Sequence, residues 1–156
     1  MNKEIKIGLG LGKITFGSSK DIVKNLLGEP NEIELLDVPV DDEEISLEQW
    51  HYDELELSAS FDQDQDEILD TLAVSSDDYT INGITLIGKK IDEVNKLLNT
   101  LHLGAFEKDQ ISDDEENSII YSFIDSNMNF WFEEDELTEI QWGPIYTDEE
   151  PAIFAN

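Results

Sequence analysis

The sequence predicts an α+β fold in which two tandem αβ repeats join their antiparallel strands in one extended sheet, with both helices on one face. Three observations predict it. Blocks of similar sequence recur after about 70 residues: Ile14-Thr15-Phe16-Gly17 through Leu26-Leu27 is matched by Ile84-Thr85-Leu86-Ile87-Gly88 through Leu97-Leu98, and Asp41-Asp42-Glu43-Glu44 by Asp113-Asp114-Glu115-Glu116. Within each block the apolar spacing changes from helical to alternating. The lysines lie near the N-terminus and in or beside the two expected helices, whereas Asn25 to Gly88 holds 19 acids and no lysine, and Asp109 to Asn156 holds 14 acids and no lysine.

The elements follow in order. Ser18 and Asp21 form a Ser-x-x-Asp capping signal, and Ile22, Val23, Leu26 and Leu27 make the apolar stripe of a first helix that Gly28 and Pro30 end. A second stripe runs through Ile91, Val94, Leu97, Leu98 and Leu101 and stops near Gly104. Alternating segments are expected as strands at about 32–38, 47–53, 56–62 and 68–75, then at 118–123, 128–133 and 137–143. Tight turns separate them at Asp53-Glu54, Asp62 to Asp66, Asp125-Ser126-Asn127 and Glu133 to Glu136. The whole chain, 1–156, reads as a single domain of two repeats, about 14–76 and 84–143, with a short C-terminal tail at 144–156.

Charge narrows the function. The 156 residues include nine lysines, no arginine and 38 carboxylic acids, for a net charge of −29. Binding to a phosphate backbone needs clustered cations that displace counterions, so nucleic acid is not an expected partner. An anionic membrane surface is disfavoured for the same reason. With no cysteine, neither a disulfide nor a thiolate zinc site can form. No apolar run approaches the roughly 18 residues of a membrane span, and no apolar h-region follows Met1 to Lys6, so the expected setting is the cytoplasm.

Short motifs that suggest chemistry fail on spacing. Gly8-Leu9-Gly10-Leu11-Gly12-Lys13 lacks the spacing and the following Ser or Thr of a phosphate loop, and reads as a turn between two short strands. Asp62-Gln63-Asp64-Gln65-Asp66 opens like a calcium loop, but Glu67 stands where glycine is needed and Ala73 where a bidentate glutamate is needed. The only histidines, His51 and His102, have nothing in the sequence that brings them together. Ser18 and Ser19 lack the Gly-x-Ser-x-Gly elbow of a nucleophile. The expectation is therefore a protein with no enzymatic activity, no cofactor and no metal.

Strand parity gives one sharper point. Met128, Phe130 and Phe132 alternate toward the helices, as do Leu57, Ala59 and Phe61, while Trp50 and Tyr52 share parity with the core set Ile119, Tyr121 and Phe123. Trp131 is then the one aromatic sent to the outer sheet face, either under the C-terminal tail or as an anchor among acids. The expected partner site is Trp131 and Glu133 with the acidic runs Asp41, Asp42, Glu43, Glu44 and Asp113, Asp114, Glu115, Glu116 as its rim.

The segment Phe16 to Val23 through Leu27-Gly28-Glu29-Pro30, with Trp50-His51-Tyr52 and Phe61-Asp62, resembles the helix-plus-sheet repeats of the beta-lactamase inhibitor protein and of small outer-membrane assembly lipoproteins. The run Phe130-Trp131-Phe132-Glu133 to Trp142-Gly143-Pro144 resembles a group of uncharacterised bacterial cytoplasmic proteins. The chain lacks the lipid-acceptor cysteine of the lipoproteins and the paired cysteines of the secreted inhibitors. The resemblance implies a sheet used as a binding surface. It makes an acidic binding or inhibitor protein the leading expectation, in particular an immunity protein that neutralises a basic toxin such as a nuclease. The alternatives are a binding or scaffold protein unrelated to toxins, or a DNA mimic.

Overall fold

A computed structural model describes residues 3–40, 43–62, 67–101, 103–112 and 117–144. The chain opens with β1 (Glu4–Lys6), β2 (Gly10–Leu11) and β3 (Ile14–Thr15), followed by α1 (Lys20–Leu27). A meander of β4 (Glu32–Val40), β5 (Glu43–Tyr52), β6 (Leu57–Asp62) and β7 (Ile68–Val74) comes next. After β8 (Thr80–Ile81), β9 (Ile84–Thr85) and α2 (Ile91–Leu101), a second meander runs through β10 (Phe106–Ser112), β11 (Asn117–Phe123), β12 (Met128–Glu133) and β13 (Glu136–Trp142).

The expected tandem αβ repeats are not what forms. The structure is strand-rich and helix-poor, with two helices among the described residues and the strands divided between two sheets. An eight-stranded antiparallel sheet has the order β10-β11-β12-β13-β7-β6-β5-β4, and a five-stranded sheet of short strands has the order β3-β2-β1-β8-β9. In the small sheet β1 pairs parallel with β8, Glu4 opposite Thr80 and Ile5 opposite Ile81. β1 and β8 lie outside both expected repeats, and the sheet they build also takes in β3 and β9, the strands that open each of them. Geometry supplies the reason. Eight strands spaced about 4.8 Å apart make a face nearly 40 Å wide, and two helices about 10 Å in diameter cover only part of it. With eight and eleven residues, α1 and α2 also make a short layer.

The small sheet covers the centre of that face. Trp142, 1% exposed, sits on β13 opposite Leu72 of β7, the seam between the meanders. Its indole N–H donates to the Gly10 carbonyl at 3.0 Å, and its ring meets Phe16 edge-on at 6.5 Å. Gly10 is required where β2 starts and runs close against β3: its φ is +146°, and a Cβ there would lie 2.0 Å from the Ile14 carbonyl oxygen. Ile5, Leu11, Ile14 and Ile81 of the small sheet share one core with Phe61, Phe130, Phe132 and Trp142 of the large one.

Local signals are partly as read. The cap of α1 is Ser19, whose side chain accepts from the Ile22 N–H; Ser18 is instead buried, with its hydroxyl 3.1 Å from that of Thr15. Gly28 ends the helix at φ +87°, its N–H donating to the Lys24 carbonyl at 2.8 Å. The Gly8 to Lys13 segment forms two turns flanking β2. β10 was not anticipated, because Phe106-Glu107-Lys108-Asp109-Gln110 has no apolar alternation to announce a strand.

Candidate functional site

The face of the large sheet turned away from the small sheet and helices carries the side chains left out of the core. On β12 Met128, Phe130 and Phe132 are buried to 1% or less, and Asn129 and Trp131 point the other way. The register sets Trp131 between Ile120 of β11 and Glu139 of β13, and Asn129 between Ser122 and Gln141. Asp109 lies opposite Ile120 on β10, which extends this row to the sheet edge with another carboxylate. The register slips between Trp131 and Phe132, and the Thr138 hydroxyl donates to the Trp131 carbonyl at 3.2 Å across the bulge.

Two features mark this patch. The indole N–H of Trp131 is enclosed and has no hydrogen-bond acceptor among the described residues. An enclosed donor left unpaired costs about 1–3 kcal/mol. Glu139 beside it is half-buried, and burial, reinforced by the charge of Glu133, raises its carboxyl above the ordinary value. A depression of about 280 Å³ runs from Glu139 toward the other meander, with His51, Ser58, Ala73 and Ser75 in its walls. A second, of about 180 Å³, is lined by Thr71, Asn127, Asn129 and Gln141.

On the β4–β6 side the same face is hydroxyl and imidazole. His51 Nδ1 lies 2.8 Å from the Ser58 hydroxyl and His51 Nε2 lies 3.2 Å from a Glu34 carboxylate oxygen. These are the parts of a nucleophile relay, but Ser58 lies within the β6 ladder, paired with His51 on one side and Ala73 on the other. The ladders on both sides take up the backbone amides around Ser58, leaving no pair of donors aimed above the hydroxyl to stabilise an oxyanion. The row acts as a polar cross-strand ladder.

The structure distributes the expected site residues unevenly. Trp131 and Glu133 lie on β12, Glu133 exposed at its end and paired with Glu136. Glu43 and Glu44 open β5, with side chains outside the description. Asp41, Asp42, Asp113, Asp114, Glu115 and Glu116 lie outside the described residues, as do His102, Gln63 to Asp66 and the tail from Ile145. The strands leading into the two acidic runs, β4–β5 and β10–β11, occupy opposite flanks of the sheet. Sequence reasoning missed Ile120 and Glu139 as neighbours of Trp131. Parity against Tyr121 and Ile140 could have found their face, whereas their register opposite Trp131 needed the fold. Among the described residues no group of three or more His, Asp or Glu could hold a metal ion, and no helix is long and apolar enough to cross a membrane.

No family model and no curated protein matches the chain. Among solved structures, an extracellular protein containing a SCP domain from Bacillus anthracis str. Ames is similar at 15% identity and a TM-score of 0.46. The match covers 82% of this chain and 43% of that one, so the chain spans less than half the length of that structure. A likeness of this degree carries no argument about site or activity.

Proposed function

We propose that the chain is an acidic protein-binding protein that engages a basic partner on the outer face of β10–β13, with Trp131 as the anchor. The observation that carries this reading is the row on the outer sheet face in which Ile120 and Glu139 flank Trp131. The enclosed N–H is out of a partner's reach, so the anchor acts through the ring, which contributes rigid apolar area. Lysines or arginines around that contact pair with Glu139, Glu133 and Asp109. The net charge of −29 steers such a partner over long range and competes with any polyanion it binds. Inhibition of a basic enzyme, including the neutralisation of a nuclease-like toxin, is the use this chemistry suits best.

The test is capture of partners from the native lysate at low and at high salt, followed by affinity measurement with Trp131→Ala. The expected results are salt-sensitive capture of a basic protein and a loss of about 2 kcal/mol or more in affinity, mostly as faster dissociation, with the fold intact. Unchanged affinity together with a melting temperature many degrees lower would assign Trp131 to packing and move the site elsewhere.

A further inference from the structure

The first meander ends in an edge that the proposed Trp131 site does not use. β4 is the last strand of the large sheet, and no described strand pairs with its free side. Pro39 stands in β4 opposite Glu44 of β5. Proline has no N–H to give to a ladder, so Pro39 occupies a position whose backbone groups face away from β5. By alternation the N–H and C=O groups of Ile33, Leu35 and Asp37 also point outward, three consecutive rungs with no strand beside them among the described residues. The side chains alternate as well. Ile33 and Leu35, opposite Trp50 and Glu48, point to the inner face and are 54% and 72% exposed. Glu32 and Glu34 point to the outer face, both exposed.

Helix α1 crosses the inner face at this end of the sheet. Lys20 pairs with Glu48 at 3.1 Å, the Tyr52 hydroxyl donates to the Gly28 carbonyl at 3.0 Å, and Glu48 and Tyr52 both have inner parity. On the helix Ile22 and Leu26 are 50% and 44% exposed. The exposed apolar side chains of Ile33 and Leu35 on one face, the carboxylates of Glu32 and Glu34 on the other and open backbone rungs between them describe a vacant strand position.

We infer that β4 accepts an extended segment of a partner as an added edge strand, and that this segment alternates apolar residues with lysine or arginine. The apolar residues would lie beside Ile33 and Leu35, and the cations would face Glu32 and Glu34, the period of two matching the pleat. Charge selects the occupant. A second copy of this chain pairing through its own β4 would bring carboxylates of like sign into one row, on molecules that each carry −29. The same acids that repel self-pairing attract a basic strand, so the edge is closed to copies of itself and open to a cationic partner.

The test uses the full chain and a short synthetic peptide alternating lysine with valine, with a control of the same composition whose lysines are clustered. Amide hydrogen exchange is followed by NMR. The alternating peptide is expected to slow exchange at Ile33, Leu35 and Asp37 by about tenfold or more, and the clustered control by less than about twofold. Leu35→Pro removes one outward N–H without touching the β5 ladder and should abolish protection at Ile33 and Asp37; Leu35→Thr, which keeps the N–H, should retain most of it. Equal protection by the clustered peptide would reduce the effect to unspecific charge attraction and overturn the inference. So would slow exchange at these amides in the free monomer, which means the chain fills its own edge, or a dimer in sedimentation that Leu35→Pro dissolves. This outcome is independent of the Trp131 site, since Trp131→Ala leaves β4 untouched.

Discussion

The two meanders of the large sheet finish differently at their outer strands. In the second, Phe106 of β10 stacks on Tyr121 at 4.3 Å and leans on Phe123 at 5.1 Å, and Tyr121 and Phe123 continue to Phe132 and Phe130. The Tyr121 hydroxyl donates to Asn95 of α2, which ties the longer helix to that aromatic row. In the first, the aromatic contact is Trp50 with Phe61 at 4.7 Å, one strand further in, and the inward residues of β4 have nothing comparable over them. Both are terminal strands, but on β10 the inward Phe106, 39% exposed, packs on an aromatic row and Lys108 stands among the acids, whereas β4 leaves Ile33 and Leu35 more open and carries only acids. The difference teaches that an edge strand's protection depends on what lies on its inner face as much as on its charges.

Substitutions can break or sharpen this comparison. Trp142→Ala should have the largest effect, about 3–5 kcal/mol, because it empties the seam between the meanders and strands the Gly10 carbonyl. Chemical denaturation checks it, and a cost near 1 kcal/mol would mean that the small sheet contributes little to holding the meanders together. A step smaller is the contrast between the edges. Phe106→Ala should destabilise by about 2 kcal/mol, whereas Leu35→Ala, on a side chain 72% exposed, should stay within about 0.5 kcal/mol. Equal costs would show that β4 is covered in solution.

The smallest effect concerns Glu139. Its folded-state carboxyl is raised by burial and then by Glu133, so the folded chain holds that proton to higher pH than the unfolded chain does. Ionising Glu139 therefore weakens the fold once pH rises above the ordinary carboxylate value of about 4.3. Glu139→Gln is expected to raise the melting temperature at pH 7 and to lose that advantage as pH falls below the ordinary carboxylate value of about 4.3, where both states become protonated. The same change should weaken binding of a basic partner. A gain independent of pH would place its cause in packing instead of charge.

How much was legible follows from range. The alternation of Leu57, Ala59 and Phe61 and of Met128, Phe130 and Phe132 identifies a buried side for each strand, because parity is a property of consecutive residues. It sends Trp131 outward for the same reason. The helix stripes at Val23 and Val94 are equally local, as is the glycine stop at Gly28, while the cap moved by one residue because two adjacent serines offer the same chemistry. The net charge and the absence of cysteine and arginine are complete in the sequence. Tertiary structure decided what no local pattern encodes: that β1 pairs with β8 across more than seventy residues of chain, that the short strands gather into a second sheet over the seam at Trp142, and that Glu139 and Ile120 are the neighbours of Trp131. It also left β4 as an open edge. Each of these depends on which surfaces remain to be covered once the large sheet has formed, and that remainder is set by the dimensions of sheet and helix, not by the preference of any segment.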